Sequence, residues 1–562
     1  MPVIENPALA TDGYKLDHRR QYPKGTSFVF SNLTARSARL SNVPREAHND
    51  SIVFFGLSAM VQTALMSFWD IFFSSPLEDV VKDYTDHLTA YLGPNEIGDQ
   101  HIRDLHALGY LPVKIRAVPE GTIVPIQVPC LTIENTVDDF FWVTNYLETI
   151  ISCEMWKPIT NATTANAYRK LIDRYCDITG GSPDFVPFQG HDFSFRGMSG
   201  YQDACLSGVA HLTSFLGTDT VPAIKFAEKY YRGGESEVIG MSVPATEHSV
   251  MSMGTQEDEI GTFDRFITET YPTGIVSIVS DTWDFWQVMT EFTVKLKDKI
   301  MARDGKTVFR PDSGDPVKII CGYSHDGVIY EDKDSATNAI LETCKLSVAD
   351  DNIKYDDQYD VINIGGTFFE VLVIEAYYGG DWMVSLKNPK LTEAEVKGSV
   401  EVLWDIFGGT MTEKGYKTLD SHVGMIYGDS ITYERCEAIL KGLEAKGFSS
   451  DNVVFGIGSF TYQYVTRDTY GMAVKATFGI VNDEHRVIQK DPKTGSGKKS
   501  ARGLLAVVKD SKTSSMKLIE EVPYDEYMAG VEGDVMETVF EDGKIIIRPS
   551  LEEIRQRLST QR

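Results

Sequence analysis

Four short apolar runs in the second half of the chain each break off into Asp, Gly, Ser or Arg: 274–281 (GIVSIVSD), 307–314 (TVFRPDSG), 422–429 (HVGMIYGD) and 452–459 (NVVFGIGS). Four or five β-branched and aromatic residues between such groups predict parallel strands buried on both faces. Asp281 to Asp312, and Asp429 to Gly458, each span about 30 residues, the length of one βαβ unit. Between them, 283–299 and 431–446 carry apolar residues at helical spacing, the second through Cys436, Leu440 and Leu443 with Gly447 as its C-cap. The stretch from Asp312 to Asp429 is too long for one unit. Residues 318–393, with strand-like FFEVLVIEAYY and WMVSL, therefore read as an insertion, and nothing in them suggests chemistry.

The first half is patterned differently. Residues 50–70 predict a helix with Val61, Leu65, Phe68 and Trp69 on one face. Residues 111–136 alternate apolar runs with Pro and Gly turns, a small β-layer. A helix over 140–156 follows, buried through Val143, Leu147, Ile150 and Ile151. Near the C-terminus, Ser550 and Glu553 form a capping box before a short helix. The chain thus begins as an α+β domain and continues from about residue 190 as βα repeats.

Composition narrows the function. The 562 residues are 42% apolar, ample for a large core. No run approaches the length needed to span a bilayer, and MPVIENPALATDGYK has neither a basic nor an apolar leader segment. Seven scattered cysteines without CxxC read as reduced thiols, so a cytoplasmic protein is expected. A net charge of −27 argues against nucleic-acid and membrane partners. A phosphate-bearing substrate would then need cations gathered locally against a repulsive field.

Polar groups at the carboxyl ends of parallel strands are where α/β folds place ligands. Arg310 can meet a diphosphate, and Asp281, Asp312 and Asp429 suit ribose hydroxyls or a hydrated Mg²⁺. Gly456 and Gly458, before Ser459, allow a backbone to approach a phosphate. In GHDFSFRGMSG, Arg196 lies among aromatics and glycines, and Phe193 can stack on a planar ring. Asp219 can accept from a ligand N–H and repel a ligand carboxylate. His248, beside Glu247 in a Pro-containing loop, can act as base, nucleophile or phosphate ligand. The one basic cluster, 486–502, includes Lys490 and Lys498; its GSGKKS is no P-loop, because Pro492 occupies the position of the first Gly.

Taken in order, ATDGYKLDHRRQYP, HDFSFRG, GTDTV, SVPATEHS, VSDTWD, RPDSG, YGD, TRD and KDP resemble the nicotinamide phosphoribosyltransferase family of type II phosphoribosyltransferases. The resemblance implies an irregular (β/α) barrel-like domain over 181–470, carrying the insertion, and an α+β domain built from 1–180 and the C-terminal segment 471–562. It implies transfer of phosphoribosyl from 5-phosphoribosyl-1-diphosphate to nicotinamide with Mg²⁺, coupled to ATP hydrolysis through phosphorylation of His248, in a homodimer with shared sites. Tyr14 of a partner subunit and Phe193 would sandwich the pyridine, with Asp219 on its carboxamide and Ser277 near the substrate. Arg196 and Arg310 would bind diphosphate, and Pro311, Asp312, Gly428 and Asp429 the ribose. Gly458, Ser459, Arg467 and Lys475, with Arg36 from the other subunit, would hold the 5′-phosphate. Glu247, Lys490 and Lys498 would serve the phosphates of ATP. Ser459 and Ala473 depart from the family pattern. The rival substrate is nicotinate, against which Asp219 argues, and the rival of another class is an inactive ligand-binding relative.

Overall fold

A computed structural model describes residues 6–231, 233–234, 237–349, 360–375, 382–428, 430–489, 501–510 and 515–562. The chain forms two compact units. One comprises Met1–Lys170, Ser194–Met241 and Ser459–Arg562, and the other Leu171–Phe193 and Ser242–Gly458.

The first unit is built on a seven-stranded antiparallel sheet. An interior strand, Thr26–Thr34, is paired on one side with Pro129–Asn135 and on the other with Ala473–Val481. Side chains alternate across it, as the pleat requires. Leu33 joins a core with Ile115, Leu131, Ile133, Trp69 and Trp142. Phe30 faces the other way, onto Phe478, Leu504, Val522 and Tyr527 of the C-terminal segment. Both faces of the strand are buried from Val29 to Leu33, so even its polar Ser31 and Asn32 lie inside.

Local predictions for this unit hold with shifted ends. The helix expected over 50–70 starts only at Leu57; Ser51–Val53, rich in β-branched residues, pairs instead with Ile123–Pro125. Val61, Leu65 and Trp69 are buried, whereas Phe68 is only half so. The 140–156 helix is a short turn followed by a helix from Glu148 to Thr179 that accommodates Pro158. The Ser550–Glu553 capping box is present.

The second unit carries a parallel sheet, and its strands are four of the runs met first in the sequence plus one. Thr273–Val279 pairs with Asp304–Arg310, that strand with Val423–Tyr427, that with Val453–Ile457, and the last with Gly190–Asp192. All run the same way, so their carboxyl ends share one edge. The expected helices lie between them, at Phe285–Met301 in three consecutive segments and at Tyr433–Ala445. Cys436, Leu440 and Leu443 face the core. Gly447, at φ +74, supplies the left-handed turn beyond the second helix. The insertion forms a small four-stranded sheet of its own, on which the helix Lys333–Ala349 packs Ala336 and Ile340 against Ile362 and Phe369. The architecture is mixed α/β, with an antiparallel sheet in the first unit and a parallel one in the second. Among the described residues no helix is long and apolar enough to cross a membrane.

Candidate active site

The strand Thr273–Val279 lies at the edge of its sheet, and the PATEHS segment is fastened along it. Ser277 N–H donates to the Pro244 carbonyl at 2.9 Å, and Thr246 N–H to the Ser277 carbonyl at 2.9 Å. Thr246 Oγ1 accepts from Val279 N–H at 2.9 Å. This docking carries Glu247 and His248 to the strand ends. His248 does not sit in a loop as expected; it opens the helix His248–Met253, with Glu247 at the N-cap. Six residues are too few to show periodicity in the sequence. The Glu247 carboxylate is held by the Ser249 hydroxyl.

Three of the expected residues organise one loop. Asp281 Oδ2 accepts from Asp312 N–H at 2.8 Å, Ser313 N–H at 2.7 Å and Ser313 Oγ at 2.6 Å. Its Oδ1 is buried without a hydrogen bond and lies 4.0 Å from His248 Nε2. Asp312 places Oδ2 3.6 Å from the same nitrogen and Oδ1 3.7 Å from Arg310 Nε. Arg310, at the end of its strand and only 9% exposed, donates from Nη2 to the Thr246 carbonyl, while its Nε makes no hydrogen bond. The guanidinium is thus anchored at one end and has donor capacity left for an anion.

Glycines fix the approach of the neighbouring strand. Gly428 N–H donates to the Pro311 carbonyl at 3.2 Å, and a Cβ on Gly428 would lie 2.0 Å from Asp312 Oδ1. A Cβ on Gly456 would meet Phe193 Cδ2 at 2.9 Å and the Tyr427 carbonyl at 2.6 Å. Phe193 N–H donates to the Ile457 carbonyl at 3.0 Å, and its half-buried ring lies 4.7 Å from that of His191. Gly458 and Ser277 are buried, Ser277 with its Oγ unbonded. Asp429, Lys490 and Lys498 lie outside the described residues.

The remaining candidates belong to the first unit. Strand Thr26–Thr34 runs antiparallel to Ala473–Val481, with Asn32 opposite Lys475. The pairing brings Arg36, just past one strand, to the residues that precede the other: Arg36 Nε donates to the Gly471 carbonyl at 2.9 Å, and its N–H to the Tyr470 carbonyl at 3.0 Å. The resemblance assigns Arg36 to a different subunit from Arg467 and Lys475. Within this chain the strand pairing also brings Arg36 into the same unit as Arg467 and Lys475. Lys475 pairs with Glu148 at 3.0 Å, whose other oxygen holds the buried Lys15 at 2.8 Å. Arg467 lies 3.6 Å from Asp468 and is over half exposed. Tyr14, 63% exposed, donates to Asp12. Burial and the carboxylates of Asp12 and Glu148 raise its phenol above the ordinary value, and Arg467 opposes them. Cations are therefore concentrated here despite the acidic whole. Arg196 is exposed on the turn Phe195–Gly197, where a Cβ on Gly197 would strike Ser459 Oγ at 2.1 Å. Asp219 is exposed just beyond Gly217–Thr218.

Thr246, Thr282 and Ser313 were not singled out in the sequence, although each lies inside a quoted motif. What gave no signal was the hydrogen bonding between motifs. Among the described residues no three His, Cys, Asp or Glu side chains form a direct metal cage. Asp281 and Asp312 instead offer hard oxygen donors, one of them buried and unbonded, which fits Mg²⁺ retaining much of its water.

One buried carboxyl in the second unit, Glu259, titrates unusually. Burial, and then Asp284, push Glu259 up to about 7. The unfolded chain ionises near 4.5, so the folded state holds the extra proton between these values and loses relative stability as pH rises through them. Below that window both states are protonated and the effect vanishes. Glu259→Gln should therefore raise Tm over the wild type at pH 8 and by much less at pH 5. Thermal melts across this range check it, and a pH-independent difference would contradict it.

Family models match two stretches of the chain: the nicotinate phosphoribosyltransferase (NAPRTase) family over residues 188–522, and the nicotinamide phosphoribosyltransferase N-terminal domain over residues 6–115. A nicotinamide phosphoribosyltransferase of Acinetobacter baylyi is 48% identical over 99% of this chain and 97% of its own. One from Xanthomonas campestris is 31% identical over 99% and 98%. The crystal structure of nicotinate-nucleotide pyrophosphorylase from Pyrococcus furiosus superposes with a TM-score of 0.50 at 14% identity, covering 100% of this chain and 97% of that one, a likeness of fold.

Proposed function

Because the chain belongs to the nicotinamide phosphoribosyltransferase family, we propose that it transfers phosphoribosyl from 5-phosphoribosyl-1-diphosphate to nicotinamide in NAD salvage. The products are nicotinamide mononucleotide and diphosphate. The observation that carries the reading is the convergence of Arg310, Asp312, Asp281 and His248 at the carboxyl ends of adjacent parallel strands.

The chemistry asks little of a base. The pyridine nitrogen already has a free lone pair, which forms the bond to C1′ as the C1′–O bond breaks and its electron pair leaves with diphosphate. The protein must align the partners and stabilise two developing charges. Asp312, with Asp281 behind it, supplies negative charge for an oxocarbenium-like ribose. Arg310 faces the diphosphate, joined by Arg196. Mg²⁺, held through water by Asp281 and Asp312, would supply further positive charge to the leaving group. Arg36, Arg467 and Lys475 suit the 5′-phosphate, and Phe193 and Tyr14 the pyridine faces. Asp219 accepts from the carboxamide N–H and repels a carboxylate, which favours nicotinamide over nicotinate.

ATP enters through phosphorylation of His248, and the enzyme works as a homodimer with shared sites; a sedimentation mass of one chain would remove the second part. The first is tested by supplying nicotinamide, phosphoribosyl diphosphate and Mg²⁺ with and without ATP. Mononucleotide formation should rise with ATP and ADP should accumulate alongside it. Equal synthesis in both arms, with no ADP released, would end the coupling.

A further inference from the structure

We propose that Glu148 is a positioning residue that yokes two substrate-binding groups of the first unit, the phosphate-binding Lys475 and the ring-stacking Tyr14. The inference rests on the roles proposed above for those two residues, and it concerns what holds them in place together.

Glu148 opens the long helix Glu148–Thr179, and each of its oxygens engages a different lysine. Oε2 lies 2.8 Å from Lys15 Nζ and Oε1 3.0 Å from Lys475 Nζ. The two lysines differ in burial. The side chain of Lys15 is 1% exposed, and its ammonium also donates to the Asn145 carbonyl at 2.8 Å. A buried ammonium is strongly destabilising unless a carboxylate accompanies it, so Lys15 and Glu148 fix each other. The side chain of Lys475 is 42% exposed and is caught by an oxygen that cannot follow its motion. An ammonium has three donors. One engaged by Glu148 leaves two for a phosphate.

The same carboxylate acts on Tyr14 through its neighbour. Tyr14 and Lys15 share the short turn Gly13–Asp17, and Lys15 Nζ stands 5.4 Å from the centre of the Tyr14 ring, within reach of a cation–π contact. Burial of Lys15 against Glu148 therefore anchors the turn that carries the exposed ring. Backbone pairing alone would fix neither group, since Lys475 extends from the strand Ala473–Val481 on a flexible four-carbon stem. Two lysines against one carboxylate leave one positive charge, which with Arg36 and Arg467 suits a phosphate dianion.

The test is a pair of double-mutant cycles on the full-length protein, read as KM for each substrate. The reference variants Lys475→Met and Tyr14→Ala should raise KM for phosphoribosyl diphosphate and for nicotinamide respectively. Glu148→Gln should raise both by about tenfold, the worth of one charge-assisted hydrogen bond, with kcat changed less. In the Lys475→Met background it should raise only the nicotinamide KM, and in the Tyr14→Ala background only the other. Glu148→Gln leaves the charge of Lys15 buried alone; if it folds poorly, the same cycles are run with Lys15→Met and Glu148→Gln combined, which removes both charges. Full additivity in both backgrounds, as a merely structural residue would give, would overturn the inference. So would a lower KM for phosphoribosyl diphosphate, the mark of a carboxylate that only competes with phosphate for Lys475. Reference variants with unchanged KM would instead overturn the roles of Lys475 and Tyr14, and this inference with them.

Discussion

Arg310→Ala is expected to lower kcat/KM for phosphoribosyl diphosphate by about a hundred- to a thousandfold, the usual cost of removing a group aimed at developing negative charge. Arg310 is the buried cation of the strand-end cluster, tied to the Thr246 carbonyl with its Nε unbonded. Its loss removes positive charge from the departing diphosphate. It also leaves the Asp281–Asp312 pair facing a site with one fewer cation, which opposes entry of an anionic substrate. Arg310→Lys should recover little, since an ammonium cannot reach the carbonyl and the ligand together in the way a planar fork does. Initial rates against varied phosphoribosyl diphosphate measure this. A loss of only a few-fold in the alanine variant would show that the diphosphate lies elsewhere.

Asp281→Ala should be nearly as damaging by a different route. One oxygen of Asp281 receives two backbone N–H groups and a hydroxyl from residues 312–313, and each donor left without a partner costs about 1–3 kcal/mol where water cannot replace it. The loop that carries Asp312 would then lose its position, so both Tm and kcat should fall. Asp281→Asn separates the two roles. Its amide oxygen can accept the same three donors, so Tm should return toward the wild type. The negative charge facing His248 and the ribose is gone, so kcat should stay low. Thermal melts and kinetics on both variants decide it: full activity in the asparagine variant would reduce Asp281 to a structural tie.

The strand ends were legible because a parallel strand buried on both faces leaves a continuous apolar run, and each run here stops at a group too polar to continue it. The edge shared by Arg310, Gly428 and Gly458 followed from that alone. Pairings distant in the sequence were not legible. Nothing local says that Thr26–Thr34 pairs with Ala473–Val481, yet that register places Arg36 beside Gly471 within one chain. The fastening of Thr246 along Ser277, which delivers His248, was hidden for the same reason: two hydrogen bonds between separate motifs have no periodicity. Ser51–Val53 shows the limit of helical spacing near an edge, where a tertiary strand pairing overrode it.

The central claim is that nicotinamide is the acceptor. Its most direct test is a competition in which equal nicotinamide and nicotinate are offered with phosphoribosyl diphosphate, Mg²⁺ and ATP, and the two mononucleotides are quantified. Nicotinamide mononucleotide should dominate on the proposed role of Asp219, whose carboxylate would accept from an amide and repel an acid. A product mixture dominated by nicotinate mononucleotide, or no mononucleotide of either kind, would contradict the claim.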